Sequence, residues 1–146
     1  MTMTADERRR FIAAARALVG APFKHRGRSA EGVDCVGLVV LALAAVGRGV
    51  ADRDDYGRNP FRDGLREAAV AHFGEPVSDM QAGDVVLFAW GRDEPNHVGI
   101  LFDRPAGGLA VVHALRQHKR VVEHGLSPDQ RARIVAVFRP FKETLL

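Results

Sequence analysis

Hydrophobic and polar positions change period once along this chain. Up to about residue 73 apolar residues recur at helical spacing, and from Asp84 onward they come in short, β-rich runs. Phe11, Ala14, Ala15, Leu18 and Val19 fall on one side of a helix predicted over 4–19. Thr4 caps it, Glu7 completes a capping box, and Gly20 and Pro22 stop it. Residues 22–33, with Gly27 and Gly32, read as a loop. A second helix over 34–46 is apolar nearly all round (Val36, Leu38, Val39, Val40, Leu41, Leu43), which predicts a buried central helix ended by Gly47 and Gly49. A polar loop over 48–60 precedes a third helix over 61–73 carrying Leu65, Ala68, Ala69 and His72. Strands are predicted over 85–90, 98–103, 109–115, 120–124 and 133–138, split by Gly, Pro and Asp. Helices first and strands later predict an α+β fold, with a meandering antiparallel sheet packed on the buried helix.

Composition narrows the class. A chain of 146 residues is expected to form a single domain over 1–146, with no repeat or low-complexity tract. One cysteine excludes an internal disulfide framework and argues against a Cys-rich structural zinc site. The net charge is +3, and the 18 arginines run from Arg8 to Arg139 without forming a stripe or tail. That spread gives no sign of nucleic-acid readout, whereas a basic surface suits an anionic polymer or a cell envelope. Arg8-Arg9-Arg10 before Phe11 imitates the start of a signal peptide, but Arg16 interrupts the apolar stretch, so a helix is expected and not an export signal. No run reaches the roughly 18 apolar residues of a membrane span.

The single cysteine is where the chemistry concentrates. Cys35 opens the second helix within Gly32-Val33-Asp34-Cys35-Val36-Gly37-Leu38. There the helix N-terminus favours a thiolate, and the expectation is a lowered thiol pKa. Asp34 is placed as the N-cap, and the backbone N–H of Cys35 can serve as an oxyanion donor. His97 starts one predicted strand and His113 lies in the next, so His97 can act as general base with His113 orienting its ring. Bland readings stand beside this one. A lone cysteine is often a small buried hydrophobe, a strand histidine is often a satisfied imidazole, and Cys35, His97 and His113 could form a zinc site. His25, His72, His118 and His124 are read as bystanders.

The blocks Gly32-Val33-Asp34-Cys35-Val36-Gly37-Leu38, Ala82-Gly83-Asp84-Val85-Val86-Leu87-Phe88, His97-Val98-Gly99-Ile100 and Val112-His113-Ala114 resemble, in order, the NlpC/p60 family of cysteine peptidases. The resemblance runs from about residue 9 to 140. It implies a papain-like fold: N-terminal helices, with a buried Cys-bearing helix packed on a five- to six-stranded antiparallel sheet. It also implies cleavage of cell-wall peptides, at the bond between D-γ-glutamyl and the diamino acid of a peptidoglycan stem peptide. By position Cys35 is then the nucleophile, His97 the base and His113 the orienting residue, with Phe23, Asp34 and Val36 on the substrate and oxyanion side. No metal or organic cofactor is implied. Residues 25–29, 56–60 and 121–126 resemble the phage-tail and gene-transfer-agent branch. That branch implies phage-like tail or baseplate partners and a place at the tail tip of a virion-like particle, acting in the periplasm. The family usually carries Pro-Tyr where this chain has Pro22-Phe23, and Phe keeps the ring but not the hydroxyl. The rival expectations are a structural tail or baseplate hub, and a thiol amidase or acyltransferase on another substrate.

Overall fold

The computed structural model describes residues 4–48, 64–91 and 95–140. The predicted polar loop beyond Arg48 and the first turn of the third predicted helix lie outside the described residues.

The capping box read from the sequence forms: Thr4 Oγ1 accepts from the Glu7 N–H at 3.0 Å, and Glu7 Oε1 accepts from the Thr4 N–H at 3.1 Å. Helix α1 (Ala5–Arg16) buries Phe11 and Ala15. It ends three residues short of the prediction, and Val19 is 44% exposed instead of continuing the apolar side. The reason is a competing set of backbone bonds. The Gly20 N–H donates to Val121 O, the Val121 N–H to Ala21 O, and the Phe23 N–H to Lys119 O, so residues 20–23 run beside a strand. That strand is otherwise the edge of the sheet, and the segment covers part of its open backbone.

The predicted loop after Pro22 holds a small hairpin, β1 (Arg28–Ser29) and β2 (Gly32–Val33), which leads straight into α2 (Cys35–Ala45). Two glycines permit that approach. A Cβ on Gly37 would run into the carbonyl oxygen of Gly27 and sit 2.8 Å from Val33 Cγ2; a Cβ on Gly27 would run into Gly32. Leu38, Val39, Ala42 and Leu43 of α2 are buried, whereas Val36, Val40 and Leu41 are half-buried and Ala44 and Ala45 exposed. The helix is therefore central but not enclosed on all sides. Helix α3 (Leu65–Phe73) follows, with Phe73 6.1 Å from the ring of Phe138.

Strands β3 (Val85–Phe88), β4 (His97–Asp103), β5 (Leu109–Leu115) and β6 (Arg120–Gly125) form an antiparallel meander. Helix α4 (Pro128–Ala132) was absent from the sequence reading, although Ser127 and Gln130 form its capping box at the right spacing. It returns the chain so that β7 (Ile134–Phe138) pairs with β3, giving the order β6-β5-β4-β3-β7. The expected papain-like α+β arrangement, helices packed on an antiparallel sheet, is present with five strands.

Both faces of the sheet are buried, which explains why its strands read as apolar runs and not as strict alternation. Val85, Leu87, Val98, Ile100, Val112 and Phe138 pack with α1 and α2. On the other face Val86, Phe88, Leu101, Val111 and Val137 pack with Val77, Met80 and Trp90.

The contact between α2 and the hairpin generates a first prediction. Gly37→Ala overpacks the backbone of Gly27 and should lower stability by about 3 kcal/mol, read as a shifted guanidinium midpoint. An unchanged midpoint would show that the hairpin yields freely.

Candidate active site

Asp34 fixes where the cysteine sits. Its carboxylate is buried and takes three donors: the Gly37 N–H at 2.8 Å, the Arg26 N–H at 2.9 Å and Arg28 Nη1 at 3.1 Å. The first of these is the N-cap of α2, and the other two tie the helix to the hairpin. Arg26 adopts a positive φ of 63° to present its N–H.

Cys35 follows at the first turn and is 7% exposed. The ladder between β4 and β5 runs from Asp103–Leu109 to Ile100–Val112 and stops there. Past that point the Val98 N–H lies close enough to the Cys35 sulfur to favour its thiolate, as do the N–H groups of Val36 and of Cys35 itself. The thiol thus lies against the residue that follows His97. Those donors favour a thiolate, but burial outweighs them, with the Asp34 charge adding to it, and the thiol pKa is pushed up to about 12. This corrects the lowered pKa expected from a helix N-terminus: that end of the helix is present, but the sulfur has left water.

His97 Nε2 lies 2.9 Å from His113 Nδ1, so the two strand histidines are brought together as the sequence suggested. Burial holds the pKa of His97 well below the ordinary imidazole value and lowers that of His113 to about 3, with neighbouring histidines pushing the same way. At neutral pH both rings are uncharged. Trp90 stacks on His97 with centroids 4.3 Å apart and planes at 21°, and the ring of Phe88 lies 5.7 Å from the same imidazole. Asn96 pins Trp90 in place: its Oδ1 accepts from the Trp90 N–H at 3.0 Å and its Nδ2 donates to the Trp90 carbonyl at 2.9 Å.

Phe23 is half-buried against the helix-side core, bridged through its backbone to Val33, with the Arg116 guanidinium 5.7 Å above its ring. Val36 is half-buried, one residue into α2. Of the four histidines read as bystanders, His124 is misjudged: its Nε2 lies 2.9 Å from Nε2 of His113. Its signal was strand register, because His124 stands opposite Val111 across β5 and β6, two residues from His113 on the same face. Trp90 and Asn96 were also missed, since stacking and turn-pinning leave no spacing pattern. His72 packs edge-on against Phe73, away from this cluster, at 4.7 Å. Among the described residues no group of three or more His, Cys, Asp or Glu is arranged to hold a metal ion, and no helix is long and apolar enough to cross a membrane.

The site thus holds a buried thiol at a helix N-terminus, against the residue that follows His97, and a pair of neutral, mutually hydrogen-bonded imidazoles on β4 and β5. A thiol and an imidazole are the groups that nucleophilic attack with proton transfer through a ring requires. Comparison with known proteins adds the lineage. The family model described as the NlpC/P60 family matches residues 20–138. A protein of Corynebacterium glutamicum bearing the name "Probable endopeptidase" is 33% identical over 117 residues, 79% of this chain and 46% of that protein. A Mycobacterium tuberculosis protein with the same wording in its name is 33% identical over 96 residues, 64% of this chain and 21% of its own length. The chain therefore spans about half, or less, of the curated relatives it matches. In fold it is similar to a Bacillus cereus NlpC/P60 family protein (TM-score 0.66, 22% identity, 97% of this chain and 42% of that one). It is also similar to the NlpC/p60 domain of the peptidoglycan hydrolase SagA (TM-score 0.57, 20% identity, 90% and 97%).

The neutral rings make stability depend on acid. In the unfolded chain each histidine gains a proton near pH 6.5, whereas folded His97 and His113 stay neutral far below that, His113 to about 3. Their contribution is therefore complete above about pH 6.5 and is lost progressively as pH falls toward the folded values. From pH 7 to pH 5 His113 should cost about 2 kcal/mol of unfolding free energy, and His97 should add a loss of the same sign, measured by denaturant titration. His113→Asn should make that slope shallower; a flat profile in the wild-type protein would show that the rings take up protons alike in the folded and unfolded chain.

Proposed function

The chain belongs to the NlpC/P60 family, and on that premise we propose that it is a cysteine endopeptidase that cuts peptidoglycan stem peptides. Cys35 is the nucleophile, His97 the general base and His113 the residue that orients it. The observation that carries this reading is the 2.9 Å bond from His97 Nε2 to His113 Nδ1, which leaves Nδ1 as the free nitrogen of the base.

The chemistry then runs without a preformed ion pair. His97 Nδ1 takes the thiol proton as the sulfur attacks the carbonyl carbon of the peptide. The oxyanion that forms accepts from N–H groups at the start of α2, those of Cys35 and Val36, which turn from the sulfur to it as the charge moves. His97 returns the proton to the leaving amine, the C–N bond breaks and a thioester remains. Water adds to the thioester with its proton passing to His97, and the thiol is restored as the carboxylic acid leaves. Phe23, in place of the usual Tyr, supplies packing beside this site and no hydroxyl. Asp34 acts on the helix and not on the substrate, because its oxygens already hold three donors.

The bond cut is that between D-γ-glutamyl and the diamino acid, and delivery is by a phage or gene-transfer-agent tail that opens the wall during DNA entry. The bond is the family-level expectation. The tail placement is supported by residues 25–29, 56–60 and 121–126, which resemble that branch.

Digestion of purified sacculi followed by mass analysis of the fragments tests the activity. Wild-type protein should release fragments cut within the stem peptide, and Cys35→Ala should release none while keeping its unfolding midpoint. His97→Ala should lose about 10²–10⁴-fold in rate, and His113→Asn less, since its amide can still accept from the ring. Full activity in Cys35→Ala would refute a thiol mechanism. Delivery is tested by address: quantitative proteomics of purified phage-like particles should find a few copies in each. Recovery solely from the free periplasmic fraction would replace the tail assignment with a housekeeping wall hydrolase.

A further inference from the structure

The row of imidazoles continues past His113. His124, on the outer strand β6, places Nε2 2.9 Å from Nε2 of His113, and its own Nδ1 lies 3.0 Å from the carbonyl oxygen of Gly125. A carbonyl oxygen has no hydrogen to give, so the hydrogen in that last contact sits on Nδ1 of His124. With one hydrogen on each ring, Nε2 of His124 is left as an acceptor for the Nε2–H of His113. The same count makes Nδ1 of His113 the acceptor for the Nε2–H of His97. Nδ1 of His97 is then bare. The reverse order would set a ring lone pair against the carbonyl lone pairs of Gly125 at 3.0 Å, which is repulsive. At the centre of the row His113 is 1% exposed and packed against Phe88 and Trp90, so its two nitrogens are committed to the neighbouring rings.

We infer that His124, anchored on the Gly125 carbonyl, is a positioning residue that sets the hydrogen order of His113 and His97, so that His97 meets the thiol with an unprotonated Nδ1. This rests on the reading of Cys35 and His97 as the reacting pair. Its consequence is specific: what matters at position 124 is an acceptor aimed at His113, and a group that only donates reverses the row and blocks the base. A ring held in the wrong tautomer costs about 10⁴-fold in a Ser-His-Asp enzyme.

Nitrogen NMR on 15N-histidine-labelled protein, without substrate, reads the order directly. Wild-type protein should show His97 hydrogen on Nε2; hydrogen on Nδ1 would overturn the proposal. His124→Gln keeps an oxygen that can accept and should hold kcat within about threefold. His124→Lys offers only donors and should lower kcat by about 10²–10³-fold with KM changed by less than about twofold, while the His97 hydrogen moves to Nδ1. A folded His124→Lys protein with wild-type kcat would equally overturn it. The NMR result is independent of wall hydrolysis, so a failed sacculus digest removes the proposed function and leaves the hydrogen order standing.

Discussion

The site depends on one carboxylate with three donors. Asp34 caps α2, anchors the Arg26 turn and pairs with Arg28, all within 2.8 to 3.1 Å. Burying that charge is unfavourable unless its oxygens are satisfied, and the hairpin β1–β2 exists in the geometry that satisfies them. The demand propagates outward. The hairpin must approach α2 closely enough that Gly27 and Gly37 tolerate no side chain, and Val33 must pair with the segment at Pro22 that covers β6. Helix position, loop conformation and edge protection are therefore one problem with one solution.

The same burial decides the electrostatics. A helix N-terminus stabilises an anion by roughly 1 kcal/mol or somewhat more, whereas removing a thiolate from water costs several. The sulfur is inside, so desolvation wins and the resting group is a thiol. Both inner imidazoles lose their charge for the same reason. In the proposed reaction a site that rests neutral holds its proton until a substrate carbonyl is in place. Charge separation then appears only along the reaction coordinate, where nearby backbone N–H groups are already oriented.

Much of this was legible in the sequence because the signals were local. The Thr4–Glu7 capping box, the apolar run after Cys35 and the switch to β-rich runs at Asp84 each predicted an element that formed. The end of α1 was not legible, because the bonds that stop it come from Val121, a hundred residues away. The hairpin was hidden for another reason: its strands are two residues each, too short to show a period, although Ser29 Oγ accepts from the Glu31 N–H at its turn. At the site, Cys35, His97 and His113 stood out by residue type and order. His124 did not, because its importance lies in being opposite Val111 in the register of β5 and β6. The direction of the thiol shift failed for want of burial, which no spacing rule supplies.

The stacking of Trp90 on His97 has an optical consequence. Trp90 is the one tryptophan in the chain, and its indole lies 4.3 Å from the imidazole. A protonated imidazole quenches indole emission on contact, whereas a neutral ring does so weakly. The native fluorescence of the protein is therefore a built-in gauge of charge at the His97–His113 pair, free of label and of background from other indoles. A rapid-mixing trace of that emission would time the appearance of imidazolium in the proposed reaction.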